Sequence, residues 1–384
     1  MKNRGDLRRT CTCKQPLDFV VMTDLGADLD DEWSMMIYAA LQRMGYICVQ
    51  CMVANLRPAM ERARLLHGML GELGYGHDLP KIPVGAGTGI IANRNNELHP
   101  NEQNCSYLSP HRNLRVGDEA MIDILLDAAP KSLTIVLQSG FTDFAMLALL
   151  HSELLAAKVA KVVIMGGVVV NEAGDDVVLD NGLLQPDQAN NNTFNFTAAQ
   201  IAYRWCQDQC VPMVITMRSL AYSAKFPFAL YERVCNETES PIGPCMRDRQ
   251  ESSLQTLWRR ANAPVASETR GPLPPDRDRQ WFVAVFCDGR DPGISAEERI
   301  LPHTGSFMLY DPINAMAAVD TIRDYFFTPH RVVVNGTTHE IIGLSKAHPG
   351  ITTEHAHELV AVMTDMILTS LNAGVTAKQP AGQF

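Results

Sequence analysis

The sequence predicts an α/β fold: an open, mostly parallel sheet flanked by helices, nucleated in the N-terminal half and extended by helical and loop additions in the C-terminal half. Three observations carry that expectation. Short apolar runs alternate with longer stretches whose apolar residues recur every three or four positions, the pattern of strands joined by crossover helices. The composition, 46% hydrophobic and 20% charged, excludes disordered, collagen-like and coiled-coil chains. A chain of 384 residues can hide about three quarters of its extended surface, so one large core needs no staples.

In chain order, residues 1–16 are polar and read as a flexible N-terminus, and 17–384 as one α/β domain with an insertion around 236–300. Strands are expected at Phe19 to Thr23, Ile47 to Val53, Ile82 to Val84, Leu133 to Gln138, Val162 to Met165 and Val211 to Thr216. Helices are expected at Glu32 to Met44, Ala59 to Leu73, Asp118 to Leu126, Phe144 to Leu155 and Thr197 to Cys206. Gly45 stands where a C-terminal cap belongs, and Pro58 where proline opens a helix. Residues Ala266 to Gln280, rich in proline and charge, read as a surface loop or insertion, and WFVAVF after them as a buried element. DPINAMAAVD reads as a helix start, RVVVNGTTHEII as a hairpin turning at Asn335 and Gly336, and Thr353 to Leu371 as a closing helix.

The net charge of −10 and the lack of a long Lys/Arg run argue against general nucleic-acid binding. The N-terminus has no secretory apolar run, and no stretch approaches the ~18 apolar residues of a membrane span, so a cytoplasmic protein with no membrane partner is expected. Ten cysteines are present without zinc spacing. Cys48 and Cys51 fall in an apolar run, Cys11 and Cys13 in the polar N-terminus, and Cys206 and Cys210 at a helix end, so all are read as structural thiols.

The loop after the first strand is the unusual one. DLGADLDDEW places Asp24, Asp28, Asp30 and Asp31 within eight residues. One or two aspartates suit a helix start, where the backbone dipole favours them. Four repel one another unless a cation gathers them, and oxygen donors select a hard ion such as Ca²⁺ or Mg²⁺.

Asp24 followed by Asp30 and Asp31 at the head of a helix resembles the aspartate cluster of the inosine-uridine nucleoside hydrolase family. The family fingerprint is DxDPGxDD; here the spacing is two residues longer and Met22 stands at its first Asp, as in a divergent branch. Further matches follow in order: Asn55 after the second strand, IPVGAG from Ile82 to Gly87, SGFTDFA from Ser139 to Ala145, VVIMGG from Val162 to Gly167, NTFNFTAAQIAY around Asn195, and YDPINAMAAV from Tyr310 to Val319. Several are weak alone, because Gly-Gly turns and DP helix starts are common.

The resemblance implies calcium-dependent hydrolysis of the N-ribosidic bond of a nucleoside or related ribosyl compound, by way of an oxocarbenium-like sugar. It implies Ca²⁺ held by Asp24, Asp31, the carbonyl of Thr142 and Asp311, with Asp24 as general base. The step of six residues from Asp24 to Asp30 leaves open whether Asp24 or Asp28 reaches the ion; Asp24 is preferred because it directly follows the strand. Asp30, Asn55, Asn195, Asn191 and Tyr310 are the implied substrate contacts, and Thr197 the implied cap of the helix after Asn195. Tyr310 replaces a histidine that often protonates the departing base, leaving Tyr310, His348 or no acid at all for that role. Thr193 replaces a carboxylate that grips the ribose 5′-hydroxyl, which points to a substrate extended or altered at that end. By analogy a homo-oligomer is expected. Two alternatives stand beside this reading. One is a catalytically silent ligand-binding protein on the same fold. The other is a Mg²⁺-dependent phosphatase of the haloacid-dehalogenase type, which would require DxD after the strand, whereas Gly26 stands at its second position.

Overall fold

The computed structural model describes residues 16–26, 29–90, 105–271 and 273–379. Strands β1 (Leu17–Thr23), β2 (Ile47–Ala54), β3 (Val84–Ala86), β4 (Arg115–Val116), β5 (Leu133–Leu137) and β6 (Val159–Gly166) come from the first half. Two short ribbons follow, β7 (Leu179–Asp180) with β8 (Leu183–Leu184), and later β10 (Phe226–Pro227) with β11 (Ser306–Phe307). Between and after them lie β9 (Met213–Met217), β12 (His330–Val334) and β13 (Thr337–Ile342). Nine strands form the main sheet in the order β12-β13-β9-β6-β5-β1-β2-β3-β4. Every pairing in it is parallel except β12 with β13, the edge hairpin turning at Asn335 and Gly336, which both have positive φ.

This is the expected architecture. β1 lies between β2 and β5, so the chain winds outward in both directions from β1, and the crevice beyond its carboxyl end is where such sheets bind ligands. Along β1 the side chains alternate as strand geometry requires: Phe19 and Val21 enter one core, Val20 and Met22 the other. The first core lies under helices Asp30–Met44, Ala59–Glu72 and Thr353–Lys378; the second under Gly117–Asp127, Thr142–Leu150 and Phe196–Asp208.

Several expectations shift. The helix expected over Phe144 to Leu155 is two, Thr142–Leu150 and Ser152–Lys158, separated at His151. WFVAVF forms the helix Arg279–Phe286, begun by Asp278, whose side chain accepts from Trp281 N. The proline-rich stretch before it is organised around buried Arg270, which donates to the carbonyls of Ala263, Pro274, Pro275 and Arg277. Trp33 of helix Asp30–Met44 meets Tyr231 and Phe307 from the C-terminal half, so those later elements pack on the helix that carries the aspartates.

Two sequence expectations need correction. Cys105 and Cys245 form a disulfide, with Cα atoms 5.8 Å apart, so not every cysteine is a thiol; their separation of 140 residues gave no local signal. Cys48, Cys51 and Cys206 are buried, and Cys11 and Cys13 lie outside the described residues. Helix Thr353–Lys378 is long and apolar enough to cross a membrane, although no such stretch was expected. Half of that apolar window is buried, and Ser370 donates to the carbonyl of Met36 at 2.8 Å, as in a helix packed against the core.

Candidate metal and ligand site

Carboxylate oxygens of Asp30, Asp31 and Asp311 lie within 4.8 Å of one another. Two local facts place the first pair: β1 ends at Thr23, and the helix that starts at Asp30 turns its first residues back toward the strand. Asp31 accepts from the hydroxyl of Thr23 and from Asp24 N at 3.1 Å, which fixes one of its oxygens.

Asp311 arrives from 280 residues further on, and buried polar side chains seat it. Gln138, at the carboxyl end of β5, donates to the carbonyl of Asp311 at 2.6 Å and accepts from Tyr38 at 3.0 Å and Ser34 at 3.3 Å. Thr216, on β9, donates to Asn314 at 2.8 Å, one turn along the helix Tyr310–Ala317. A single glutamine therefore joins the helix bearing Asp30 and Asp31 to the one bearing Asp311.

All these acids are buried: Asp31 is 2% exposed, Asp311 3%, Asp24 7% and Asp30 8%. Burial pushes the Asp31 carboxyl well above the usual range, Asp24 and Asp30 add to that, and the Thr23 hydroxyl opposes it. Burial, and then the charges of Asp311 and Asp31, push the Tyr38 phenol up as well. Such a site favours any species that brings in positive charge. Hard oxygen donors converging in this way fit a divalent cation of the Ca²⁺ or Mg²⁺ kind.

The expected residues fall into two groups. Asp31 and Asp311 converge with Asp30, which the sequence reading had set aside as a sugar contact. Asp24 is outside the converging group but close enough to bear on the Asp31 charge. Asp28 lies outside the described residues. The Thr142 hydroxyl donates to Ile90 O at 3.2 Å and accepts from Asn195 Nδ2 at 3.1 Å. Asn195 also accepts from Ala198 N at 3.2 Å, so Asn195 caps the helix where Thr197 was expected to. Asn191 spends its amide on Met165 O at 3.0 Å, and Asn55 on Gly140 O at 2.8 Å. Tyr310 meets Tyr222 edge-to-face at 6.3 Å.

Other residues of this region escaped the sequence reading. Asp143 accepts from Thr88 N at 2.7 Å, and burial raises its carboxyl. Gly87 must be glycine there: a Cβ would stand 2.9 Å from Asn55 Cβ and from both Asp143 carboxylate oxygens. Asp187 accepts from Ala189 N at 2.8 Å and from Asn192 at 3.0 Å, and is also raised by burial, with Arg218 among the groups opposing the rise. Gln138 had a signal, being the polar residue that ends an apolar strand; the others had none.

No family model matches the sequence, and no curated protein does. Solved structures do. The type III effector protein XopQ, solved with adenosine diphosphate ribose, is similar at 26% identity and a TM-score of 0.74, covering 96% of this chain and 97% of that one. A second solved effector protein follows at 25% identity and 0.73, with the same coverage. A purine-preferring ribonucleoside hydrolase from Gardnerella vaginalis shares 13% identity and a TM-score of 0.55 over 94% of this chain and 99% of that one.

The chain has the nucleoside hydrolase-like fold, in a divergent branch of it. The nucleoside hydrolase-like sheet puts the converging aspartates beyond the carboxyl end of β1, where order along the sheet reverses. At 13% identity the hydrolase shares the fold alone.

Proposed function

We propose that this protein binds a ribosyl compound through a divalent cation, Ca²⁺ first among candidates, and hydrolyses its N-ribosidic bond. The convergence of Asp30 and Asp31 with Asp311 is the observation that carries the reading. A bound Ca²⁺ would supply Lewis acidity and hold a water and ribose hydroxyls. Asp30, Asp31 and Asp311 would hold the ion, together with the carbonyl of Thr142. Asp24, buried at the end of β1, takes the proton of the attacking water. Asn55 and Asn195 would orient the sugar, with Asn191, whose amide donates to Met165 O, a further candidate contact. Tyr310 and Tyr222, in edge-to-face contact, are the proposed aromatic partners of the base, with the Tyr310 phenol as its candidate proton donor.

The ligand is read as a ribose with a phosphorylated 5′ end, the class to which adenosine diphosphate ribose belongs. Two features support this. Thr193 stands where a carboxylate would repel phosphate, and exposed Arg218 follows β9, adding a cation near Asp187. The relative solved with adenosine diphosphate ribose supports the same class. A second reading, a binder without turnover, is favoured by the higher similarity to effector proteins than to hydrolases.

Calorimetric titration of adenosine diphosphate ribose, adenosine and inosine with and without Ca²⁺, followed by chromatography for released base, separates these readings. Cation-dependent binding with base release supports the hydrolase. Binding without release supports the silent binder. Failure of all three ligands to bind would overturn both.

A further inference from the structure

The acidic loop is held by its backbone as well as by its side chains. Arg62, buried on helix Ala59–Glu72, donates through Nη1 to the carbonyls of both Asp24 and Leu25. Arg249, buried on helix Ile242–Asn262, donates Nη2 to the carbonyl of Gly26 at 2.9 Å and Nη1 to Glu32 at 2.7 Å. Three successive carbonyls of the loop thus accept from guanidinium groups.

The Arg249 bonds divide into two kinds. Its pairing with Glu32 satisfies a buried charge and would suffice for a structural ion pair. Its bond to Gly26 O is additional and ends on the loop that leads into Asp30 and Asp31. The helix is itself anchored nearby: Cys245, one turn before Arg249, is joined to Cys105, and Arg249 Nη1 lies 3.4 Å from the Tyr107 hydroxyl. A guanidinium fork is suited to this double task because its nitrogens diverge in a fixed plane, whereas an ammonium is a single point.

We infer that Arg249 is a positioning residue for the cation site: helix Ile242–Asn262 sets the path of the acidic loop through Arg249, as Arg62 does from the other side. This rests on the cation reading above. It is tested by Ca²⁺ calorimetry and Tb³⁺ luminescence on the full chain, alongside the thermal midpoint of each ion-free protein. Arg249→Lys keeps a positive charge against Glu32 but lacks the fork. The pair Glu32→Gln with Arg249→Met removes both charges together, so neither is left stranded.

Ion affinity is expected to fall about 10-fold or more in the double variant, the range typical of groups that orient metal ligands, and less in Arg249→Lys. The thermal midpoint should not follow the same order, since the double variant replaces a buried ion pair with groups of similar volume. Wild-type ion affinity in either folded variant overturns the inference. A wild-type protein that takes up neither Ca²⁺ nor Tb³⁺ overturns the cation reading itself, a different result from the first.

Discussion

The acidic and the amide-bearing candidate residues are held in opposite ways. In the acidic set Asp30, Asp31 and Asp311 converge on one another, while Gln138 holds the backbone of Asp311, and Arg62 and Arg249 hold the backbone that follows β1. In the amide set, Asn55, Asn191 and Asn195, amide groups are spent on carbonyls, on the Thr142 hydroxyl and on a helix end. The acidic set concentrates like charge and gains when a cation enters. The amide set is tied to the protein through its nitrogens, with Asn55 Oδ1 buried and without a partner among the described residues.

The most direct way to break this contrast is Asp311→Ala. It should weaken Ca²⁺ binding, read by calorimetry, by more than the roughly 10- to 100-fold typical of an outer partner. An unchanged affinity would mean that the acidic set does not hold the ion.

A pH effect belonging to neither set sharpens the comparison. His339 on β13 is fully buried, its Nδ1 accepting from Met213 N at 3.1 Å, and burial pushes its pKa down from 6.5 to about 4. The folded state thus resists a proton that the unfolded chain accepts, so this stability is present above pH 6.5 and is lost as pH falls through about 4. Its full size is at most about 3 kcal/mol. Urea unfolding between pH 4 and 7 should show the slope, and His339→Gln should flatten it.

Arg218→Ala should weaken adenosine diphosphate ribose by about tenfold, the scale of one charge-assisted hydrogen bond, while adenosine binding changes little. Equal losses for both would remove the phosphate from the argument. The smallest effect belongs to the amide set: Asn195→Ala should cost about 1 kcal/mol through the lost helix cap, seen as a lower thermal midpoint. A much larger loss of ligand affinity than of stability would instead make Asn195 a direct sugar contact.

Much of the fold was legible in the chain. Burial on both faces of a parallel strand and on one stripe of a helix leaves a local periodic trace, so β1, β2, β5, β6 and β9 and the helices between them fall close to their expected places. The ends moved where tertiary contacts decide them, as at His151, where one expected helix divides. Within the site, Asp30 and Asp31 were conspicuous as acidic residues at a helix start, although Asp30 was expected to meet the sugar, and Asp311 was reached only through the family resemblance. Asp143 was not, because its partner Thr88 comes from another segment of the chain.

By itself the sequence determined the alternation of elements and the excess of acid after β1, since both are properties of neighbours along the chain. Only the tertiary structure decided which acids converge, that Cys105 meets Cys245, and that Arg62 and Arg249 grip the loop. The physical reason is that a hydrogen bond or a Coulombic contact depends on distance in space. Arg249 and Gly26, 223 residues apart, leave no pattern in the sequence from which their contact could be read.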